Sequence, residues 1–418
     1  MMNIYYLNIK DDSATHLNIV RLTTRIYPDK AGPAVYAYSL SKYVSNKNFN
    51  FFNITCQPQG VTIKKKLINP YFEINYLPIL APQWDAKIYE HLLFLVKFGI
   101  KSIKKIVKIH RKNRIDLIHC DNPAITGLIA VIINRIFNIP YIYTHHGLDS
   151  HFKLNFLVEL RLVYRFSIYH IIVSRKMKRF FEKNKLDTKK LVWIPVGIDL
   201  SKFFHVENLN EKKKIIKELN LTHIIDVNDF IILYVGYMDL KQKVLGMIDF
   251  LVGFNNFLKN IDENQKKKMK LLYIGEGKYK SLLENEINKL KLKDHALLLG
   301  ITLEIEKFYA ISDFSALTSY MEGFPTVLLE AVASKVPCIC TDVGEVQEIV
   351  DENSIIPCGK REDIAAKLKS FYENQKLCKK VIENSYNKIK KFEWDNIAKQ
   401  IKKIYKKAII KSNIKKLK

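Results

Sequence analysis

The 418 residues predict an α/β protein built from two doubly wound, parallel-sheet domains. Short β-branched runs alternate with longer helical segments along the whole chain, the signature of parallel strands covered by helices. The alternation occurs as two series, separated by the polar, charge-rich stretch 201–229. The length exceeds what one hydrophobic core usually organises, and 48 % hydrophobic with 26 % charged residues marks a globular chain.

In the first half, strands are expected at "LNIVRLT" (17–23), "FFNIT" (51–55), "DLIHC" (116–120), "YIYT" (141–144), "YHIIVS" (169–174) and "LVWI" (191–194). The second half offers "FIILYV" (230–235), "KLLYIG" (270–275), "ALLLG" (296–300), "FSALTS" (314–319) and "PCICT" (337–341). The expected organisation is an N-terminal extension (1–16), a first domain (17–200), a linker region (201–229), a second domain (230–392), and a C-terminal helix with a basic tail (393–418). In such sheets ligands bind beyond the carboxyl ends of the strands, so residues there are the ones to read for chemistry.

Charge is large and uneven. The net charge is +26, and residues 1–197, with 30 Lys+Arg against 12 Asp+Glu, carry +18 of it. A basic half fits an anionic membrane surface, a phosphorylated partner or nucleic acid; a lysine-rich codon usage would raise the total but not the asymmetry. Nucleic-acid binding is not expected, because no basic–aromatic module is recognisable and the informative residues are acidic. The six cysteines form no disulfide or zinc framework, which suggests reduced thiols and a cytoplasmic setting. No stretch has signal-peptide or membrane-spanning length, so a soluble protein or one peripheral on the inner face of the cytoplasmic membrane is expected.

"YMEGFPTVLLEAVAS" (320–334) places Glu330 in an almost wholly apolar run. After the strand "FSALTS", Pro325 and Thr326 read as a helix start, with Thr326 as N-cap. A helix N-terminus there offers unpaired N–H groups and a positive dipole end, suited to a diphosphate, and Gly323 permits close backbone approach. The Glu330 charge is costly among apolar neighbours unless something hydrogen-bonds it, and ribose hydroxyls would. Alternatively Glu330 and Ser334, about 400° apart on a helix, form a narrow solvent strip.

These residues resemble the retaining family 4 glycosyltransferases of the GT-B fold. "EGFPTVLLE" matches that family's Glu, seven residues, Glu pattern. "LLYIGEGKYKSLL", "LLGITLEIEKFYAISDFSALTS", "VPCICTDVGEVQEIV" and "ENSIIPCGKREDIA" resemble its flanking segments, and "YPDKAGPAVYAYSLSKYV", "DLIHC" with "YTHHGLD", and "IPVGIDLSKF" its N-terminal ones. The resemblance spans roughly 17–408 in family order. It implies two Rossmann-like domains facing a cleft, acceptor-binding first and donor-binding second, with a C-terminal helix crossing back to the first domain.

The resemblance also assigns roles. Glu330 binds the ribose hydroxyls and Glu322 the hydroxyls of the donor sugar. The backbone at Gly323, Phe324, Pro325, Thr326 and Val327 lies at the diphosphate, and Gly32, in the loop after the first strand, approaches the phosphates. His146 contacts the sugar near the cleaved bond, whereas His145 and His119 read as structural. The family's Gly-Arg pair falls at Gly236–Tyr237, so the bidentate arginine is absent, and Lys241 and Lys243 are expected to share its work. Val196 stands where the family often has Asn.

The implied reaction moves a sugar from a nucleotide-diphosphate sugar, UDP-linked by expectation, to a glycan or lipid-linked acceptor with retention of configuration, in cell-surface polysaccharide, lipopolysaccharide, capsule or glycolipid synthesis. No cofactor is expected, and the chain lacks an Asp-x-Asp metal motif. A sugar-nucleotide epimerase of the same fold is the alternative; a phosphorylase would need a pyridoxal-phosphate lysine motif that is not seen. For the acceptor side, the helix "KFGIKSIKKIVKIHRKNR" (97–114) sets Ile100, Ile103 and Val107 among basic residues. It reads as a membrane-surface helix or as one packed on the sheet. The aromatic-rich stretch 70–84 reads as acceptor channel, membrane contact or satellite core.

Overall fold

The computed structural model describes residues 16–29, 32–58, 60, 62–82, 87–121, 123–146 and 154–416. Described residues within 1–172, 181–194 and 398–418 form one compact unit; 173–180 with 195–397 form the other.

The first unit holds β1 (Leu17–Leu22), β2 (Phe49–Gln57), β3 (Lys65–Asn69), β4 (Phe72–Leu80), β5 (Leu117–Cys120), β6 (Tyr141–His145), β7 (His170–Ile172) and β8 (Leu191–Trp193), in the order β3-β4-β2-β1-β5-β6-β7-β8. All neighbours are parallel except β3 and β4. Central strands such as β1 are buried on both faces, with Ile19, Val20 and Leu22 fully enclosed; that is why they read as continuous apolar runs rather than alternating ones. From β1 the chain winds outward through β2 to β4, then returns to place β5 on the other side of β1. The reversal falls between β1 and β5, where doubly wound sheets hold ligands.

The second unit holds β9 (Phe230–Val235), β10 (Met269–Ile274), β11 (Ala296–Leu298), β12 (Phe314–Leu317), β13 (Cys338–Thr341) and β14 (Ile355–Ile356), all parallel, in the order β11-β10-β9-β12-β13-β14. Its reversal falls between β9 and β12. The loops leaving β9 and β10 meet backbone to backbone: at Gly275, with φ +152°, a Cβ would collide with the Gly236 carbonyl oxygen. Since no side chain can yield there, Gly275→Ala is expected to cost about 3 kcal/mol of stability, read by denaturant melts.

Three expectations change. The stretch 70–84 is no satellite core: it supplies β4, whose Phe72, Ile74 and Tyr76 are buried in the sheet's own core, while Trp84 lies outside the described residues. The region 201–229 is not a linker; its helix Leu209–Glu218 buries Ile215 and Ile216, and Lys212 reaches the Asp229 carbonyl and the Asp313 carboxylate within the second unit. Residues 173–180 and 195–200 also fold with the second unit rather than the first. The helix Trp394–Lys416 starts in the second unit and from Ala398 belongs to the first, where Tyr405 is buried and bonded to His119 (2.7 Å). The extension 1–16 lies outside the described residues apart from His16.

All six cysteines are free; five are buried and Cys358 is exposed. Among the described residues no helix is long and apolar enough to cross a membrane.

Candidate active site

In the second unit the chemistry gathers at the reversal between β9 and β12. The helix Thr326–Ala333 follows β12 after an eight-residue loop. Pro325, with φ −74° and ψ 98°, is its N-cap, and no side chain caps the first turn. Thr326 is therefore the first helical residue rather than the cap. The N-terminal amides around Thr326 and Val327 keep the anion-attracting character of an uncapped helix start. Phe324 is buried edge-on against Phe392 (5.2 Å between ring centres), which fixes the loop's entry angle. The Gly344 turn, φ +59°, passes so close to the Glu322 and Gly323 carbonyls that a Cβ would not fit; the Glu345 N–H donates to the Gly323 carbonyl (3.2 Å).

Glu330 is half-buried on the helix, while Ser334 is fully buried, so the two form no solvent strip. Burial pushes the Glu330 carboxyl up to about 7; Lys202 and the Tyr309 hydroxyl pull it down, and Glu306 adds to the rise. The Tyr309 hydroxyl donates its one proton to the Val327 carbonyl (2.9 Å), tying this cluster to the helix's first turn. Lys202 forms an ion pair with Glu306 (3.1 Å). Reading the sequence missed Lys202 as a neighbour of Glu330, although it stands inside the quoted "IPVGIDLSKF".

Lys243 and Glu322 form an ion pair, Nζ to Oε1 3.0 Å, with the carboxylate nearly buried. They sit at the two strand ends flanking the reversal, Lys243 on the helix Lys241–Leu258 after β9 and Glu322 after β12. Lys241 does not join them: two residues earlier on the same helix it points about 200° away and is exposed. Of the two lysines, Lys243 alone meets Glu322. Gly236 closes β9 through an N–H donated to the Ile274 carbonyl (3.0 Å), and Tyr237 beside it is exposed.

In the first unit the reversal between β1 and β5 holds a charged cluster. Arg21, fully buried in β1, makes a two-pronged pair with Asp121 just after β5 (2.7 and 2.8 Å). Asp121 Oδ1 also lies 3.2 Å from His146 Nε2, just after β6. With Nε2–H donating to Asp121, Nδ1 of His146 keeps its lone pair for an incoming hydroxyl. The Tyr36 ring stands edge-on to the imidazole (4.7 Å). Burial would raise the Asp121 carboxyl; Arg21 overrides it and, with His146, holds it down at about 2. His119 accepts from Arg21 at Nδ1 (3.2 Å) and so donates through Nε2 to Thr144 Oγ1 (2.6 Å); burial, with Arg21, keeps it far below the usual histidine range. His145 is bonded to His170 (2.9 Å), and burial pushes it down to about 3. Both are neutral structural histidines. Gly32 is the first residue of α1 (Gly32–Val44) rather than a loop residue, and nothing lies within 4 Å of where its Cβ would sit. Lys30 and Ala31, which precede it, lie outside the described residues.

Two nucleotide-fold units, each with polar residues at its reversal point, define the GT-B class of sugar transferases. The comparisons agree. Residues 217–388 match the model described as glycosyl transferases group 1 and residues 31–202 match glycosyltransferase family 4, so the chain belongs to the family 4 glycosyltransferases. It is 25 % identical to the UDP-Gal:alpha-D-GlcNAc-diphosphoundecaprenol alpha-1,3-galactosyltransferase of Escherichia coli, over 79 % of this chain and 81 % of that protein. It is 23 % identical to the alpha-monoglucosyldiacylglycerol synthase of Streptococcus pneumoniae, over 77 % of this chain and 73 % of that one. Among solved structures it is similar to sucrose-phosphate synthase from Thermosynechococcus elongatus, with TM-score 0.77 at 18 % identity over 94 % of this chain and 99 % of that one.

Proposed function

We propose that this glycosyltransferase takes a sugar from a UDP-linked donor and attaches it, with retention and without a metal ion, to a glycan or lipid-linked acceptor at the inner face of the cytoplasmic membrane. The observation that carries the donor half is Glu330: a half-buried carboxylate whose pKa burial lifts to about 7, a cost that ribose hydroxyls would offset. Glu322 and Lys243 take the sugar hydroxyls and the phosphates, with the amides of Thr326 and Val327 and the backbone at Gly32, Gly236 and Gly323 nearby in role. His146, steadied by Asp121, serves the sugar near the bond that breaks. The acceptor side is supported by relatives whose names give a diphosphoundecaprenol-linked sugar and a glucosyldiacylglycerol.

The chemistry needs little covalent work from the protein. The acceptor oxygen bonds to the anomeric carbon on the face from which the phosphate oxygen departs. The hydroxyl proton passes to that departing oxygen. Negative charge grows on the diphosphate, where Lys243 and the preorganised amides stabilise it. Binding phosphate requires Lys243 to exchange its Glu322 partner, which frees Glu322 for the sugar hydroxyls.

A thermal-shift panel of UDP-, GDP-, ADP- and dTDP-sugars tests the donor. A hundredfold excess over Kd adds about 2.7 kcal/mol to the unit that binds it, a shift of several degrees. No shift with any nucleotide sugar would sink the reading. Turnover is expected to survive excess EDTA; a loss restored by Mg²⁺ or Mn²⁺ would replace the lysine-and-amide account with a metal-assisted one.

A further inference from the structure

We infer that the outward face of α2 (Ile88–Asn113) is the seat on which this protein docks to an anionic bilayer. The inference rests on the membrane-surface reading above and assigns it to one helix face. At 3.6 residues per turn, α2 divides into three stripes. Phe94, Phe98, Ile106 and Ile109 are buried in the core of the first unit. About 160° round the helix from them, Tyr89, Leu92, Leu93, Val96 and Ile100 are each between 52 and 60 % exposed. Alongside these, on one flank, Lys97, Lys104, Lys108 and Arg111 form an exposed basic row.

A helix needs only one apolar stripe to pack on its sheet. A second, directed away from the core, costs solubility unless it meets something apolar. An apolar row bordered by cations is the pattern of a helix lying in the plane of a membrane interface, with side chains in the acyl boundary and cations at acidic headgroups. Charge complementarity decides the occupant. A second copy of this chain would bring basic rows together, on a unit already strongly cationic.

The structure also narrows which residues act. Ile103 packs partly against the core, so among Ile100, Ile103 and Val107 only Ile100 points fully outward. Lys101 donates to the Pro78 carbonyl (3.3 Å), and burial lowers the Lys105 ammonium below its usual value. The effective cations are therefore Lys97, Lys104, Lys108 and Arg111.

Because any strongly cationic protein adsorbs to acidic vesicles, the test must separate adsorption from insertion. Full-length protein is floated with phosphatidylcholine vesicles with and without phosphatidylglycerol at about 0.15 M salt. Wild type is expected to float only with the anionic vesicles. The triple variant Leu93→Ser/Val96→Ser/Ile100→Ser should bind about tenfold more weakly or worse, and so should Lys97→Gln/Lys104→Gln/Lys108→Gln. Val96→Trp should blue-shift its added emission on vesicles, while Lys213→Trp, on the second unit, should not. Wild type floating equally on neutral lipid, either triple variant floating like wild type, or an unshifted Val96→Trp would overturn the assignment. So would a dimer in lipid-free solution that the serine variant splits, since a second copy would then occupy the face. UDP-sugar thermal shifts on the same variants without lipid confirm that they fold. They also separate failure of the docking face from failure of the transferase reading.

Discussion

Glu330→Ala is expected to weaken binding of the nucleotide sugar about 100-fold. Each hydroxyl donated to a carboxylate contributes roughly 1.5–3 kcal/mol, and about 2.7 kcal/mol corresponds to that ratio. Stability runs the other way. The folded-state pKa, about 7, stands above the ordinary 4.5. Between those values the folded protein keeps a proton that the unfolded chain has lost, so stability falls as pH rises through that window and the loss is complete above pH 7. Glu330→Gln removes the ionisation. It is expected to melt higher than wild type at pH 8 and no higher at pH 4. Because ribose hydroxyls favour the ionised carboxylate, nucleotide affinity of wild type should rise with pH, by up to about tenfold per unit below pH 7, and flatten above it. Calorimetric titration from pH 5.5 to 8.5, with scanning calorimetry at pH 4 and 8, reads all three. A Gln variant with wild-type affinity and slope would remove Glu330 from the site.

Asp121→Ala is expected to lower stability by about 3–5 kcal/mol, because it strands the Arg21 guanidinium, which is fully buried. Arg21→Met/Asp121→Leu replaces both charges with apolar volume and should recover most of that loss. It should not recover turnover. His146 then lacks the acceptor 3.2 Å from its Nε2, and a misplaced catalytic group can cost about 100-fold. The expected signature is a lowered kcat with little change in the donor KM, since Glu322, Lys243 and Glu330 stand in the other unit. Recovery of kcat together with stability would mean that the cluster serves folding alone. Asp121 also contributes to acid stability: held at about 2 against an ordinary 3.8, its contribution is complete above pH 4 and disappears as pH falls towards 2. The paired variant should lack that part of the acid transition.

Legibility in the sequence followed locality. β9, β10, β12 and β13 are enclosed parallel strands, so their apolar runs stood out. β3 and β4 did not. Lys65, Lys66 and Leu67 of β3 are exposed at the sheet edge and give no apolar run, and β4 carries Pro78 near its end. Glu330 was found because a charge interrupted an apolar segment. The same signal marks Arg21 inside "LNIVRLT" and passed unread, although it locates the cluster that holds His146.

By itself the sequence determined the two parallel-sheet domains, the family, and the paired glutamates at the end of β12, because each is written in contiguous residues whose spacing sets local structure. Only the tertiary structure decided which of those residues meet. Arg21 and Asp121 are 100 positions apart and are joined by the parallel register that sets Arg21 beside His119. Lys243 rather than Lys241 reaches Glu322 because the helix after β9 turns one of them towards the end of β12 and the other to solvent. The outward apolar stripe of α2 exists as a stripe only once Phe94 and Phe98 have claimed the opposite face for the core. Register, strand order and the choice of buried face are properties of the whole packed sheet, and no window of neighbouring residues contains them.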